Sequence, residues 1–218
     1  MDKQLIKKLS IPLTALVIGL AIISFFTYLF VEIGEDFLET EIVSFDESII
    51  RYLKSIETDQ LDQLMLIITE LGSVWFLTTM SLLIILLLWF RGKDKWGIAT
   101  FIIAVAGGGI LTKVLKSYYD RGRPSINPEI DAVGFSFPSG HTMAALSLYG
   151  IISFLLWRHI PKQSGRILLI AISVTFILVI GISRIYLGVH YPSDIVGAYL
   201  ISGFWLMFSI WGFINIKE

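Results

Sequence analysis

Five cations, Lys113, Lys116, Arg121, Arg123 and Arg184, fall at or near the ends of long apolar runs in this 218-residue chain. A charge at the centre of a membrane helix costs about 2.5–3.5 kcal/mol on insertion scales, so ionisable residues there carry a functional reading by default. One lysine or arginine at a helix end can simply snorkel to water. Five on one side need a common reason, and an anionic ligand at that face supplies it. Between them lies Pro138-Ser139-Gly140-His141, directly before an apolar run. Ser139 can cap the following helix, Gly140 admits close backbone approach, and the exposed N–H groups form an anion cradle. An ordinary helix cap would show the same residues. After Ser183-Arg184 come His190 and, four residues on, Asp194. Of the three histidines, His159 sits among basic residues, whereas His141 and His190 share the face of the five cations. Two histidines, a carboxylate and several cations at one face point to catalysis on an anion.

The elements that must hold these groups are apolar helices. The chain is 55 % hydrophobic and 16 % charged, against about 45–50 % and 25 % in soluble domains. Charge-free runs cover Ile11–Val31, Leu71–Phe90, Gly97–Thr112, Thr142–Trp157, Ile167–Ser183 and Ile195–Ile216. Spanning helices need roughly 17–25 mostly apolar residues. Four runs qualify outright and the two shortest do once their polar flanks join. The pattern excludes a soluble globule, a disordered chain and, with no cysteine, a disulfide scaffold or thiolate site. A net charge of −1 excludes a strongly basic nucleic-acid binder. The expected fold is all-α and polytopic, six transmembrane helices in one bundle over residues 1–218. The first run lacks a small-residue cleavage site and reads as a retained span, with Pro12 harmless in its first turn. Gly107, Gly108 and Gly109 inside the third run suit close helix packing.

Short loops rich in lysine and arginine stay cytoplasmic. Lys3, Lys7 and Lys8, then Arg91, Lys93 and Lys95, then Arg158, Lys162 and Arg166, and finally Lys217 alternate correctly for six spans with both termini inside. The first connection carries ten acids, Glu32, Glu35, Asp36, Glu39, Glu41, Asp46, Glu47, Glu57, Asp59 and Asp62, against Arg51 and Lys54. It belongs outside. Within it Phe45, Ile49, Leu53 and Ile56 recur at helical spacing, which predicts an amphipathic helix at the outer interface.

Lys116, six residues, then Arg123-Pro124; Pro138-Ser139-Gly140-His141; and Ser183-Arg184, five residues, His190, three residues, Asp194: these three elements together resemble the signature of the type 2 phosphatidic acid phosphatase superfamily of membrane lipid phosphatases. All eleven signature residues are present, in order. The resemblance implies that His190 attacks phosphorus to form a phosphohistidine, with Asp194 fixing its tautomer. It implies that His141 protonates the departing oxygen and then activates water. Lys116, Arg123 and Arg184 would neutralise the phosphoryl oxygens, and Ser139 and Gly140 would add donors. Lys113 and Arg121 lie outside the signature and read as interface charges.

The resemblance points to a bacterial plasma-membrane enzyme acting in the outer leaflet on undecaprenyl pyrophosphate, phosphatidylglycerophosphate or phosphatidic acid, since the motif reads only phosphate. Two rivals remain: a phosphotransferase using the same phosphohistidine, and a lipid transporter that keeps the cations for headgroups. Oligomeric state is not legible. No cofactor or metal is expected, because Asp120, Glu129 and Asp131 are scattered and Asp194 is committed. Activity is therefore expected to survive EDTA and to be blocked by vanadate, a phosphoryl mimic. Complete loss on chelation, restored by magnesium, would overturn this.

Overall fold

A computed structural model describes residues 40–92, 94–124 and 134–217. The expected first span, Ile11–Val31, with Pro12, Lys3, Lys7 and Lys8, lies outside the described residues, as do Glu129 and Asp131. The chain divides into two compact units, 1–43 and 44–218, and the packed core and the signature residues all belong to the second.

Seven helices form among the described residues: α1 Thr40–Ser55, α2 Asp59–Glu70, α3 Val74–Gly92, α4 Lys95–Tyr119, α5 Gly140–Trp157, α6 Gln163–Tyr186 and α7 Pro192–Lys217. Helices α4 to α7 are each long and apolar enough to cross a membrane. Helices α2 and α3 meet at 42° across a short break and together make a fifth candidate. The six expected spans are thus matched at four or five positions. The run expected to begin at Leu71 enters its helix only at Val74. Gly72, in the break, lies so close to Ile180 and His141 that an added Cβ would meet Ile180 Cγ2 at 2.7 Å.

Helix α5 is the hub, packing on α3, α4, α6 and α7. Its buried Leu148, Ile151 and Leu155 join Leu77 of α3 and Phe101 and Ala104 of α4 in one core. Ser153 and Ser173 link α5 to α6 through a 2.6 Å hydrogen bond, a polar contact that apolar lipid cannot replace. Of the three glycines in α4, Gly107 packs on Trp205 and Gly108 on Ser147, while Gly109 has open space. Close packing is therefore the use of two of them.

A helix, α1, covers the expected stripe, whose four residues divide. Phe45 and Ile56 are exposed, whereas Asp46 is buried and Ile49, Ile50 and Leu53 are half-buried. An acid occupies the inward face. A second cluster places Leu53 of α1 and Leu61, Met65 and Leu66 of α2 against Tyr186, Leu187 and Val189. The α1–α2 pair therefore braces the segment between α6 and α7 that carries His190.

Candidate active site

Four helix ends present the signature residues. Lys116 lies in the last turn of α4, which stops at Asp120 in the left-handed conformation (φ 47°), its amide bonded to Lys116 O. Aspartate tolerates that region better than most side chains. The chain then reverses, and Ser136 N donates to Arg121 O at 2.7 Å. Ser139 is the N-cap of α5. Its Oγ accepts from Thr142 N at 3.5 Å and from Thr142 Oγ1 at 3.0 Å. Because Ser139 accepts in both, its own hydrogen remains to be donated. Gly140 sits beside Lys116, where an added Cβ would lie 3.9 Å from Lys116 Cε.

Helix α6 ends after Arg184 through Gly188 at φ +70°, a conformation natural to glycine. The turn brings His190 N to Arg184 O at 3.3 Å. Pro192 then opens α7, where its missing N–H is harmless. Asp194, third in that helix, accepts from Tyr191 N at 2.8 Å, half of a capping box. The same Oδ2 accepts from Ser136 Oγ and lies 3.3 Å from His190 Nδ1. One carboxylate thus both caps α7 and orients the imidazole.

The other ring nitrogen, His190 Nε2, lies 3.3 Å from Arg123 Nη1. Guanidinium offers only donors, so Nε2 carries the lone pair and Nδ1 the hydrogen facing Asp194. Burial lowers the His190 pKa from 6.5 to about 4, the pull of Asp194 opposing and the Arg123 and Arg184 charges assisting. The imidazole is therefore neutral above roughly that pH and charges only below it. Because the folded pKa lies under the unfolded value, stability is full above 6.5 and declines as pH falls from there through 4. A nitrogen-15 NMR titration, with the imidazoles assigned by single substitutions, is expected to put the His190 midpoint near 4. A midpoint at 6.5 would refute the assignment.

Around this pair stand the cations. Arg123 donates to Gly134 O at 2.9 Å, Val189 O at 2.8 Å and Phe135 O at 3.3 Å. It clamps the segment before α5 to the segment before α7, and burial lowers its pKa. Lys116 Nζ donates to the same Phe135 O and senses the charges of Arg123, Asp194 and Arg184. His141 lies within the fields of Arg184, His190, Arg123 and Lys116. Arg184 is 3 % exposed. Its Nη1 donates to Thr69 Oγ1 at 2.7 Å, yet its Nε is buried without a hydrogen-bond partner. Leaving a buried donor unpaired costs about 1–3 kcal/mol, more when charged. A phosphoryl oxygen is an acceptor of the right kind.

All eight sequence-predicted residues, His190, His141, Asp194, Lys116, Arg123, Ser139, Gly140 and Arg184, converge at this end of α4 to α7. Four others were missed. Ser136 bonds Asp194, and Thr69 bonds Arg184. Arg121, expected as an interface charge, is instead ion-paired to Asp194 at 2.6 Å and to Asp46 at 2.9 Å, with its side chain 18 % exposed. Two buried carboxylates hold it. Lys113 is exposed, as expected of such a charge. The one sequence signal available was Asp46, an acid in register with Ile49, Ile50 and Leu53 on a helix with an apolar face.

Residues 97–217 match the family model described as the PAP2 superfamily. The chain is 35 % identical over 171 residues to phosphatidylglycerophosphatase B of Bacillus subtilis, covering 78 % of this chain and 83 % of that protein. It is 25 % identical over 173 residues to an undecaprenyl-diphosphatase of Sulfolobus acidocaldarius, covering 76 % and 77 % respectively. Its fold is similar to the crystal structure of a transmembrane PAP2-type phosphatidylglycerolphosphate phosphatase from Bacillus subtilis, with TM-score 0.79 and 30 % identity over 90 % of this chain and 97 % of that one. With the three-part signature gathered around one buried histidine, the chain belongs to the PAP2 superfamily and is a helical membrane phosphatase.

Proposed function

We propose that the chain hydrolyses lipid phosphates or diphosphates at the extracytoplasmic face of a bacterial plasma membrane, without metal, through a phosphohistidine on His190. The observation that carries this is the orphaned, buried Nε of Arg184 beside a neutral histidine whose far nitrogen is tied to Asp194. The cations bind phosphate, and the histidine supplies a nucleophile.

In the first step the Nε2 lone pair attacks phosphorus, and the bond from phosphorus to the leaving oxygen breaks. His141, which enters the step as the imidazolium, charged against the bound phosphate anion, donates its proton to that oxygen and is left neutral. Asp194 balances the positive charge that develops on the His190 ring. Lys116, Arg123, Arg184, the Ser139 hydroxyl and the Gly140 amide offset the charge spreading over the equatorial oxygens. In the second step His141 takes a proton from water, the new oxygen–phosphorus bond forms, and the N–P bond breaks. Inorganic phosphate leaves with His190 neutral again.

Three features support the membrane reading. The basic loops alternate with the spans, the first connection is acidic, and α1 exposes Phe45, Tyr52 and Ile56, which suits an outer-interface position. The relatives' names cover a phosphatidyl and a polyprenyl lipid, both with a terminal phosphate on apolar tails. Phosphate release from phosphatidylglycerophosphate, phosphatidic acid and undecaprenyl pyrophosphate by the purified protein tests the proposal. All release is expected to persist in EDTA and to stop with vanadate. No release from any of the three lipids would overturn the reading.

A further inference from the structure

Behind the His190–Asp194 pair lies a second carboxylate that the signature does not contain. Asp46, on α1, is 2 % exposed. It accepts Ser193 N at 2.8 Å, Ser193 Oγ at 2.6 Å and Arg121 Nη2 at 2.9 Å. Ser193 N belongs to the first turn of α7, whose leading amides have no partner within the helix. Asp46 therefore caps α7 from a different helix and sets its negative charge at the positive end of the α7 dipole.

The same contact reaches the reacting group. Arg121 Nη1 donates to Asp194 Oδ1 at 2.6 Å and to Ser193 Oγ at 2.9 Å, and its guanidinium lies 4.1 Å from the centre of the Tyr191 ring. One planar cation bridges two buried carboxylates, each held on a separate nitrogen. On Asp194 the labour is divided. Oδ1 takes Arg121, while Oδ2 takes Tyr191 N, Ser136 Oγ and the His190 ring. Rotation of this carboxylate would swing the imidazole, and Arg121, with its other nitrogen anchored on Asp46, opposes that rotation.

We infer that Asp46 is a positioning residue for the reaction: through Arg121 it fixes the Asp194 carboxylate, and with it the attacking orientation of His190. The inference rests on the phosphohistidine reading above. Among the described residues Asp46 makes no hydrogen bond to Lys116, Arg123 or Arg184, so its effect belongs on kcat and leaves phosphate affinity alone.

The test uses the full-length protein in detergent micelles with phosphatidic acid as substrate, comparing Asp46→Asn, Arg121→Lys and the double variant. Asparagine keeps an oxygen for Ser193 but loses the charge. Lysine keeps a charge but cannot span two carboxylates. Each single change is expected to lower kcat by about 10- to 100-fold, the range for lost partners that orient metal-bound histidines, taken here for a histidine oriented the same way, with KM within about twofold. The double variant should lose no more than the singles, because the pair acts as a unit. Full kcat in either folded single variant, or losses that multiply in the double, overturns the inference. Should Asp46→Asn not fold, Arg121→Lys decides by the same kcat criterion. His190→Ala separates the two readings. Persistent phosphate release there refutes the phosphohistidine itself, whereas abolished release with unchanged kcat in the single variants refutes only the role of Asp46.

Discussion

Replacing His190 by alanine is expected to reduce phosphate release by about 10⁴-fold or more, the scale seen when a catalytic nucleophile is removed. The ring is buried, holds its hydrogen toward Asp194 at 3.3 Å and turns its lone pair toward the cations. No other neutral nucleophile stands in that position among the described residues. The mechanism also requires a covalent phosphoenzyme with an N–P bond, stable in base and labile in acid. Rapid quenching of the wild-type protein with radiolabelled lipid phosphate is expected to trap it, and His190→Ala is expected to trap none. Label retained in the variant, or hydrolysis within tenfold of wild type, would exclude His190 as nucleophile. The same variant distinguishes a lipid carrier, which would keep its transport.

Replacing Arg184 by methionine is expected to move activity and stability in opposite directions. Arg184 takes part in none of the ion pairs among the described residues, and its Nε has no partner, so the folded protein holds a buried cation repelled by Arg123 and offset in part by the charge of Glu70. Exchanging poorly compensated buried charge for a well-packed apolar side chain is often neutral or stabilising. Methionine keeps most of the length and can adapt to the space. Phosphate release should fall by roughly 10²–10³-fold, the range for one lost transition-state donor, while the thermal midpoint in detergent stays level or rises. A lowered midpoint would show that Arg184 serves the fold. Arg184→Lys should lose activity as well, because an ammonium cannot reproduce a planar fork.

Much of the site is legible in the sequence because it is local. His190 and Asp194 lie four residues apart across one helix start, and Ser139-Gly140-His141 opens α5 in adjacent positions, so spacing alone brings these groups together. The apolar runs mark α3 to α7 for a similar reason. In lipid every backbone polar group must be satisfied internally, which leaves a long apolar segment little choice but helix. The interior of the first connection was less legible. Periodicity located the helix and its stripe, of which Ile49 and Leu53 are half-buried and Phe45 and Ile56 exposed, but it did not show that Asp46 is buried beside that stripe on Arg121, far away in the chain.

By itself, then, the sequence determined the solvent, the helices, the family signature and the eight residues that meet at the site. Only the tertiary structure decided which of them are already engaged. Arg123 is spread over three carbonyls, Lys116 reaches Phe135, and Arg184 alone among the three keeps a buried donor without a partner. Only the tertiary structure also brought Asp46, Thr69, Arg121 and Ser136 to the signature residues. Their partners are distant in the chain, and no periodicity records which buried charge will meet which. That pairing is set by close packing, where a polar group taken out of water must find a partner among whatever the fold places beside it.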